Sequence, residues 1–405
     1  MRPKRQQNMA KINQNYNKLP KTYLFSEIAR RAKTFSEKNP EVELLKLGIG
    51  NTTLPLTPSV LEALHRGVDK LADVKTYTGY GDEQGNTSLR KAVAAWYSKR
   101  GIELEPTEVF ISDGAKPDSA NITSIFADNS VIAITDPVYP VYQDSNIVAG
   151  KKVVLMDCTK ENGFIPHVPK EKVDVIFLCS PNNPTGAVAT KAQLKTFVDY
   201  AIENKAVIVF DAAYSEYISD PELPRSIYEI ENANKCAVEI QSLSKMAGFT
   251  GVRIGWTIVP KDLVIEGTEP GEVNALWNRR QTTMFNGASN IVQEGAIAVL
   301  SEQGQKESRE LINYYMANAK IIKEAMEDLG LKVFGGENAP YIWVKTPSDL
   351  SSWDFFDKLL NECHVISTPG AGFGSKGEGY IRLSAFGQRE NIEKAVKSIK
   401  KNLKI

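Results

Sequence analysis

Val175-Ile176-Phe177-Leu178-Cys179-Ser180-Pro181-Asn182-Asn183-Pro184-Thr185-Gly186 passes within a few residues from an unbroken apolar run to good turn chemistry. An apolar run this short, bounded by turn residues, reads as a strand buried on both faces. The pattern recurs. Val131 to Ile134 is a second such run, Val207 to Phe210 leads into Asp211-Ala212-Ala213-Tyr214, and Val238 to Ile240 leads into Ser242-Leu243-Ser244-Lys245. Between them lie stretches of helical spacing, such as Lys191 to Asn204, and upstream Leu89, Val93, Trp96 and Tyr97. Alternation of this kind predicts an α/β fold, a mostly parallel sheet covered by helices on both faces, over roughly residues 58–300.

Ligands of such sheets collect beyond the carboxyl ends of the strands. Polar residues fall there three times in succession: Ser180 and Asn183, Asp211 and Tyr214, Ser242 and Lys245. Ile111-Ser112-Asp113-Gly114-Ala115-Lys116 adds a fourth strand end, turning through glycine into a helix start whose unpaired backbone donors suit a phosphate. Pro117 is tolerated there because its missing donor costs little in a first turn.

The texture changes after Ser301. A long helical pattern runs through Leu329, followed by strand-like Lys332 to Phe334 and Tyr341 to Val344, a helix, strands at Val365 to Ser367 and Tyr380 to Ser384, and a basic final helix. Residues 301–405 are expected to form a smaller α+β domain. Residues 1–57 are expected to pack with it, since an arm of that size has no core of its own. Glycine-rich Gly370 to Gly379 reads as a mobile loop beside the site.

Composition narrows the function classes. Basic and acidic residues balance at 49 each, so nothing in the overall charge favours nucleic acid or an anionic membrane, and the expected partner is a small molecule. No apolar stretch reaches the length of a membrane span. Met1 to Gln7 are basic without a following apolar signal core, Met9 is an alternative start, and a cytoplasmic location is expected. Cys158, Cys179, Cys236 and Cys363 lack CxxC spacing and read as reduced, with Cys179 and Cys236 in strand-like surroundings. Three scattered histidines form neither a metal site nor a triad. Gly48-Ile49-Gly50 lacks the third glycine of a dinucleotide fingerprint.

Each site residue alone has a bland reading. Asp211 would be a turn or helix-cap aspartate, Lys245 a solvated lysine, Arg382 between Ile381 and Leu383 an ion-pair partner, and Tyr139 and Tyr142 packing groups. Their order and spacing say more. A lysine for a Schiff base, an aspartate for a pyridine nitrogen, polar donors for a ring oxygen and a cationic phosphate cup are what pyridoxal 5'-phosphate requires.

The set resembles the fold type I aminotransferases over nearly the whole chain. Tyr23-Leu24-Phe25, Gly79 to Gly85, Ser112 to Lys116, Phe285-Asn286-Gly287-Ala288-Ser289 and Ala339-Pro340-Tyr341 resemble the subfamily acting on LL-diaminopimelate. That resemblance implies transamination between glutamate and tetrahydrodipicolinate on the route to lysine and peptidoglycan. It implies that Lys245 holds the cofactor and shuttles a proton, that Asp211 pairs with the pyridine nitrogen, and that Asn183 and Tyr214 bond the ring oxygen. Tyr139 would stack on the ring, while Ser242, Arg253, Lys116 and the Ala115 backbone bind the phosphate with Tyr80 from a neighbouring subunit. Arg382 would clamp the α-carboxylate. Glu83 would accept the distal ammonium, and Gly50, Lys116, Tyr139 and Asn183 would also meet the substrate. Tyr23, Glu83 and Asn286 would come from the partner chain of a homodimer with two shared sites. The cofactor residues equally suit aminotransferases of aspartate, aromatic or branched amino acids, a pyridoxal phosphate lyase or synthase, or a nonenzymatic sensor. Against a sensor, no DNA-binding module precedes the fold. Among aminotransferases Glu83, Asn286 and Tyr23 discriminate.

Overall fold

The computed structural model describes residues 10–20 and 23–404; Met9 and the basic residues before it lie outside this range. Among the described residues thirteen strands are numbered along the chain. β1 (Leu45–Lys46) comes first, followed by β2 (Val109–Ser112), β3 (Val131–Asp136), β4 (Lys152–Asp157), β5 (Val175–Cys179), β6 (Val207–Asp211), β7 (Ala237–Ser242) and β8 (Gly255–Ile258). β9 (Val333–Gly335), β10 (Tyr341–Lys345), β11 (Val365–Ile366), β12 (Thr368–Pro369) and β13 (Tyr380–Ser384) follow. β2 to β8 form a seven-stranded sheet in the order β2-β8-β7-β6-β5-β3-β4. All neighbours in it are parallel except those of β8, which runs antiparallel to β7 and β2.

The runs that look continuous in sequence divide by the pleat. Phe177, Val207, Val209, Val238 and Ile240 point to one face and pack with Tyr142, Val273 and Trp277 from the helices Val141–Val148 and Glu272–Met284. Ile176, Leu178, Ile208 and Phe210 point to the other and meet Leu194, Phe197, Val198 and Ala201 of the helix Lys191–Asn204. Both faces are therefore buried, as parallel strands require. Removing one such side chain, as in Phe177→Ala, would cost about 3–5 kcal/mol.

A second, antiparallel sheet has the order β12-β13-β10-β9. The 27-residue helix Glu302–Asp328 leads to it, capped by Ser301, whose side chain accepts from the Gly304 backbone. Gly304 is obligatory, since a Cβ there would lie 1.9 Å from the Ala298 carbonyl oxygen. The expected strand at Val365 to Ser367 ends at Ile366 as β11, which pairs in parallel with β1, and a second short strand, β12, follows Ser367 and pairs with β13. The N-terminal helix Leu24–Lys38 lays Ile28, Ala32 and Phe35 against Phe356, Leu360 and Ile366.

The loop 370–379 is not free, contrary to the expectation of a mobile segment. It folds as two short turns latched onto the end of β3. The Asp136 carboxylate accepts from Ser375 Oγ at 2.7 Å and from the Lys376 backbone at 3.1 Å, and the Phe373 carbonyl accepts from the Val138 N–H at 2.9 Å. The latch brings the second sheet over the strand ends of the first.

Candidate active site

A cavity of about 460 Å³ opens where the carboxyl ends of β5, β6 and β7 meet the start of the helix Ala115–Asn121 and the second sheet. Lys245, Asp211, Tyr214, Asn183, Ser242, Arg253, Ala115, Lys116, Tyr139, Gly50 and Arg382 all line it.

Lys245 follows β7 in a single helical turn begun by Ser242, whose hydroxyl accepts from the Ser244 N–H at 3.1 Å. Its amine donates to the Gly50 carbonyl and stands 5.4 Å from the centre of the Phe386 ring. Burial, then the charges of Arg382 and Arg253, lower its pKa to about 8. An amine so depressed is neutral, and so nucleophilic, over much of the range in which an ordinary lysine is not.

Asp211 ends β6. Oδ1 accepts from the Ala213 N–H at 2.9 Å, the turn geometry expected of a strand-ending aspartate, while Oδ2 accepts from the Tyr142 hydroxyl at 2.6 Å. Burial raises its pKa, and the bonds from Tyr142 and Ala213 oppose that by favouring the charged form. Tyr142 was overlooked in the sequence as a packing group. It stacks on Phe177 at 5.4 Å, so it does pack, but its hydroxyl serves the carboxylate.

Arg382 sits in mid-strand on β13, opposite Trp343 of β10 and Thr368 of β12, with 1% of its surface exposed. One guanidinium nitrogen donates to Asn183 Oδ1 at 2.6 Å and another to the Gly48 carbonyl at 2.8 Å. Nε has no partner, and among the described residues no carboxylate pairs with it. The structural ion pair suggested by its surroundings is thus missing. A buried unpaired cation costs several kcal/mol, and a carboxylate arriving in the cavity would relieve that cost.

The residues expected to form a phosphate cup follow a similar logic. Arg253 Nη1 donates to Ser244 Oγ at 3.2 Å and to the Thr250 carbonyl at 3.4 Å, leaving its charge without a carboxylate among the described residues. Gly114, at φ 137°, lets the guanidinium close in, since a Cβ there would lie 2.1 Å from Nη2. Beneath the turn, Asp118 Oδ2 accepts from Ser112 Oγ at 2.7 Å and Thr257 Oγ1 at 2.6 Å, and Ser112 Oγ accepts from the Gly114 N–H at 3.3 Å. That buried clasp joins β2, β8 and the helix start. Burial pushes Asp118 up to about 7. Nothing in local sequence marked Asp118, because the partner that shows its role, Thr257, is distant along the chain.

The remaining expected residues divide. Tyr23 lies beside Tyr139 and Lys116 of its own chain, whereas the resemblance had implied a contribution from a partner. Tyr80 is 89% exposed, and Tyr80, Glu83 and Asn286 are absent from the residues lining the cavity. Their loops are tied to one another: Asn290 Nδ2 donates to the Gly79 carbonyl at 2.9 Å, and Gly287 packs on Asp82 and Glu83. Phe25, Ser119, Ser244, Thr250 and Tyr341 also line the cavity without having been singled out for it.

The donor set fits pyridoxal phosphate. A depressed lysine, a hydrogen-bonded aspartate and an uncompensated phosphate-side arginine share one cavity with an unpaired arginine whose Nε is an orphaned buried donor. The family model for aminotransferase class I and II matches residues 42–399. The chain is 51% identical to an LL-diaminopimelate aminotransferase of Phocaeicola vulgatus, over 97% of this chain and 99% of that one. It is 50% identical to the enzyme of the same name from Bacteroides fragilis, over 98% and 100%. Its structure is similar to that of L,L-diaminopimelate aminotransferase from Chlamydomonas reinhardtii, with a TM-score of 0.91 and 47% identity over 96% of this chain and 98% of that one.

Proposed function

The chain belongs to the class I and II aminotransferases, and on that premise we propose that it exchanges an amino group between glutamate and tetrahydrodipicolinate, giving 2-oxoglutarate and LL-2,6-diaminopimelate, with pyridoxal phosphate as cofactor, in the supply of lysine and peptidoglycan precursors. The observation that carries the chemistry is the unpaired Arg382 in one cavity with the depressed amine of Lys245. Half-identity over nearly full length to relatives of that name supports the substrate.

Pyridoxal phosphate, when bound, supplies an aldehyde that condenses with amines and a ring that takes up the electrons left when a proton leaves an α carbon. Arg253, Ser242, Lys116 and the Ala115 backbone would hold its phosphate, Asp211 its pyridine nitrogen, Asn183 and Tyr214 its ring oxygen, and Tyr139 its ring face. Tyr142, by donating to Asp211, opposes the effect of burial and favours the ionised carboxylate that a protonated nitrogen would pair with. Arg382 receives the substrate α-carboxylate as a fork, which orients the α carbon toward Lys245. Lys245, neutral above about pH 8, takes and returns the proton at that carbon. Glu83 would accept the distal ammonium, with Tyr23, Gly50 and Asn286 completing that end of the substrate.

Tyr80, Glu83 and Asn286 serve a site only if a second copy brings them to it, so the working form is a homodimer with two shared sites. Its support is the exposed rim on which they lie, where Val74, Tyr77 and Met284 are also exposed. The location proposed is the cytoplasm; no helix among the described residues is long and apolar enough to cross a membrane. The test is the kcat/KM for glutamate formation from 2-oxoglutarate with LL-diaminopimelate against aspartate, aromatic and branched amino acids. Preference for LL-diaminopimelate by at least about a hundredfold, the scale of a lost charged contact, is expected. A preference for any of the others moves the substrate assignment to it.

A further inference from the structure

Tyr341 opens β10 and is 1% exposed, yet it touches both halves of the site. Its hydroxyl lies 2.7 Å from that of Tyr214, and its ring face carries the Arg382 guanidinium at 4.4 Å. The backbone at Gly50 makes room for this oxygen: a methyl group there would come within 3.1 Å of it. The Tyr214 pairing is the only hydrogen bond of either hydroxyl among the described residues.

A phenol has one proton to donate and lone pairs to accept. In a bonded pair of phenols, one proton lies between the oxygens and the other is left for a third group. We propose that Tyr341 is a positioning residue that donates to Tyr214 and so commits the Tyr214 proton to the cofactor ring oxygen, while its ring seats Arg382 for the substrate carboxylate. This rests on the aminotransferase reading above. Donors in series polarise one another, so the Tyr341 hydroxyl strengthens the bond that Tyr214 makes. A phenylalanine would pack beneath Arg382 equally well, so packing alone does not account for the hydroxyl.

Removing only the oxygen separates the two roles. In Tyr341→Phe, Tyr214 becomes a weaker donor, negative charge on the ring oxygen is less stabilised, and the deprotonated form of the bound cofactor is disfavoured. The midpoint of the visible-band pH titration of the cofactor-loaded protein should rise by about 0.3–1 pH units, the span of one modest hydrogen bond. Arg382, Lys245, Tyr139, Tyr217 and Cys179 also surround this pair, but they are common to wild type and variant, so the difference isolates one hydroxyl. The KM for glutamate should change by less than about twofold, because a ring remains under Arg382.

Tyr214→Phe should move the midpoint further in the same direction, and Tyr214→Phe/Tyr341→Phe no further than Tyr214→Phe alone, since Tyr341 acts through Tyr214. Gly50→Ala, which crowds the Tyr341 hydroxyl, supplies a second route to the same rise should Tyr341→Phe fold poorly, read against Gly50→Ala in the Tyr214→Phe background, where no further rise is expected, because the Gly50 carbonyl also accepts from the Lys245 amine. An unmoved midpoint in a folded Tyr341→Phe or Gly50→Ala protein overturns the proposal, as does a full additional shift in the double variant. A wild-type protein that takes up no cofactor would instead contradict the aminotransferase reading.

Discussion

Cations in one cavity without carboxylate partners among the described residues, Arg382 and Lys245 foremost, set the residue-scale chemistry. Arg382 has an orphaned Nε and Lys245 a pKa lowered to about 8. Because the neutral amine is the one that attacks, capture of pyridoxal phosphate by the cofactor-free protein should accelerate as pH rises through about 8, followed by stopped-flow absorbance. Lys245→Ala should lower turnover by at least about 10²–10⁴-fold, the usual contribution of a positioned acid–base group, in a coupled glutamate assay. Arg382→Lys keeps the charge but loses the fork. The KM for both glutamate and LL-diaminopimelate should rise by about 10–100-fold, the scale of a lost charge-assisted bond, with kcat less affected; unchanged KM values for both would remove Arg382 from the carboxylate. Lys245, Asp211 and Asn183 were legible in the sequence because each falls at or within five residues of the end of a short apolar run. Tyr142 and Tyr341 were not, since an aromatic beside a strand or proline is ordinary packing until the distant partner of its hydroxyl is known.

At the scale of elements, buried polar groups fasten helices to strands. Glu239 of β7 is fully buried and accepts from the Tyr97 hydroxyl at 2.6 Å, Ser226 Oγ at 2.6 Å and the Ile227 N–H at 2.9 Å. Burial nevertheless pushes it up to about 7. A carboxyl raised in the folded state binds its proton more tightly there than in the unfolded chain, so it contributes stability below about pH 4.5 that is lost as pH rises through about 7. Glu239→Gln, which cannot ionise, should therefore gain on the wild type between pH 5 and pH 8, by up to roughly 3 kcal/mol in urea denaturation of the cofactor-free protein. A difference independent of pH would mean that Glu239 titrates alike in the folded and unfolded chains and is not raised by its burial. The strand runs and the long helix after Ser301 could be read from periodicity. The latch of residues 370–379 on Asp136 could not, because glycine-rich sequence reports permitted conformations and not the carboxylate that selects one.

At the scale of the whole molecule, the cavity gathers Lys245, Asp211, Arg253 and Arg382, and Tyr80, Glu83 and Asn286 are not among the residues that line it. If a second copy completes each site, Lys245→Ala and Tyr80→Phe proteins refolded together should recover activity neither has alone, because one site of each mixed pair then has both wild-type residues. No recovery in a mixture shown by mass spectrometry to contain mixed pairs would place Tyr80 outside the site. Glu83→Gln should raise the KM for LL-diaminopimelate by about tenfold while leaving that for glutamate near wild type. The central claim is that this cavity binds pyridoxal phosphate and uses it to take the amino group of LL-diaminopimelate. The most direct measurement is the visible spectrum of the purified protein, with LL-diaminopimelate then added and no keto acid present. Loss of the visible cofactor band on adding substrate in wild type, with a visible band retained in Lys245→Ala because the proton at the α carbon is no longer moved, is the predicted result; no band after adding pyridoxal phosphate, or a wild-type band indifferent to LL-diaminopimelate, would contradict it.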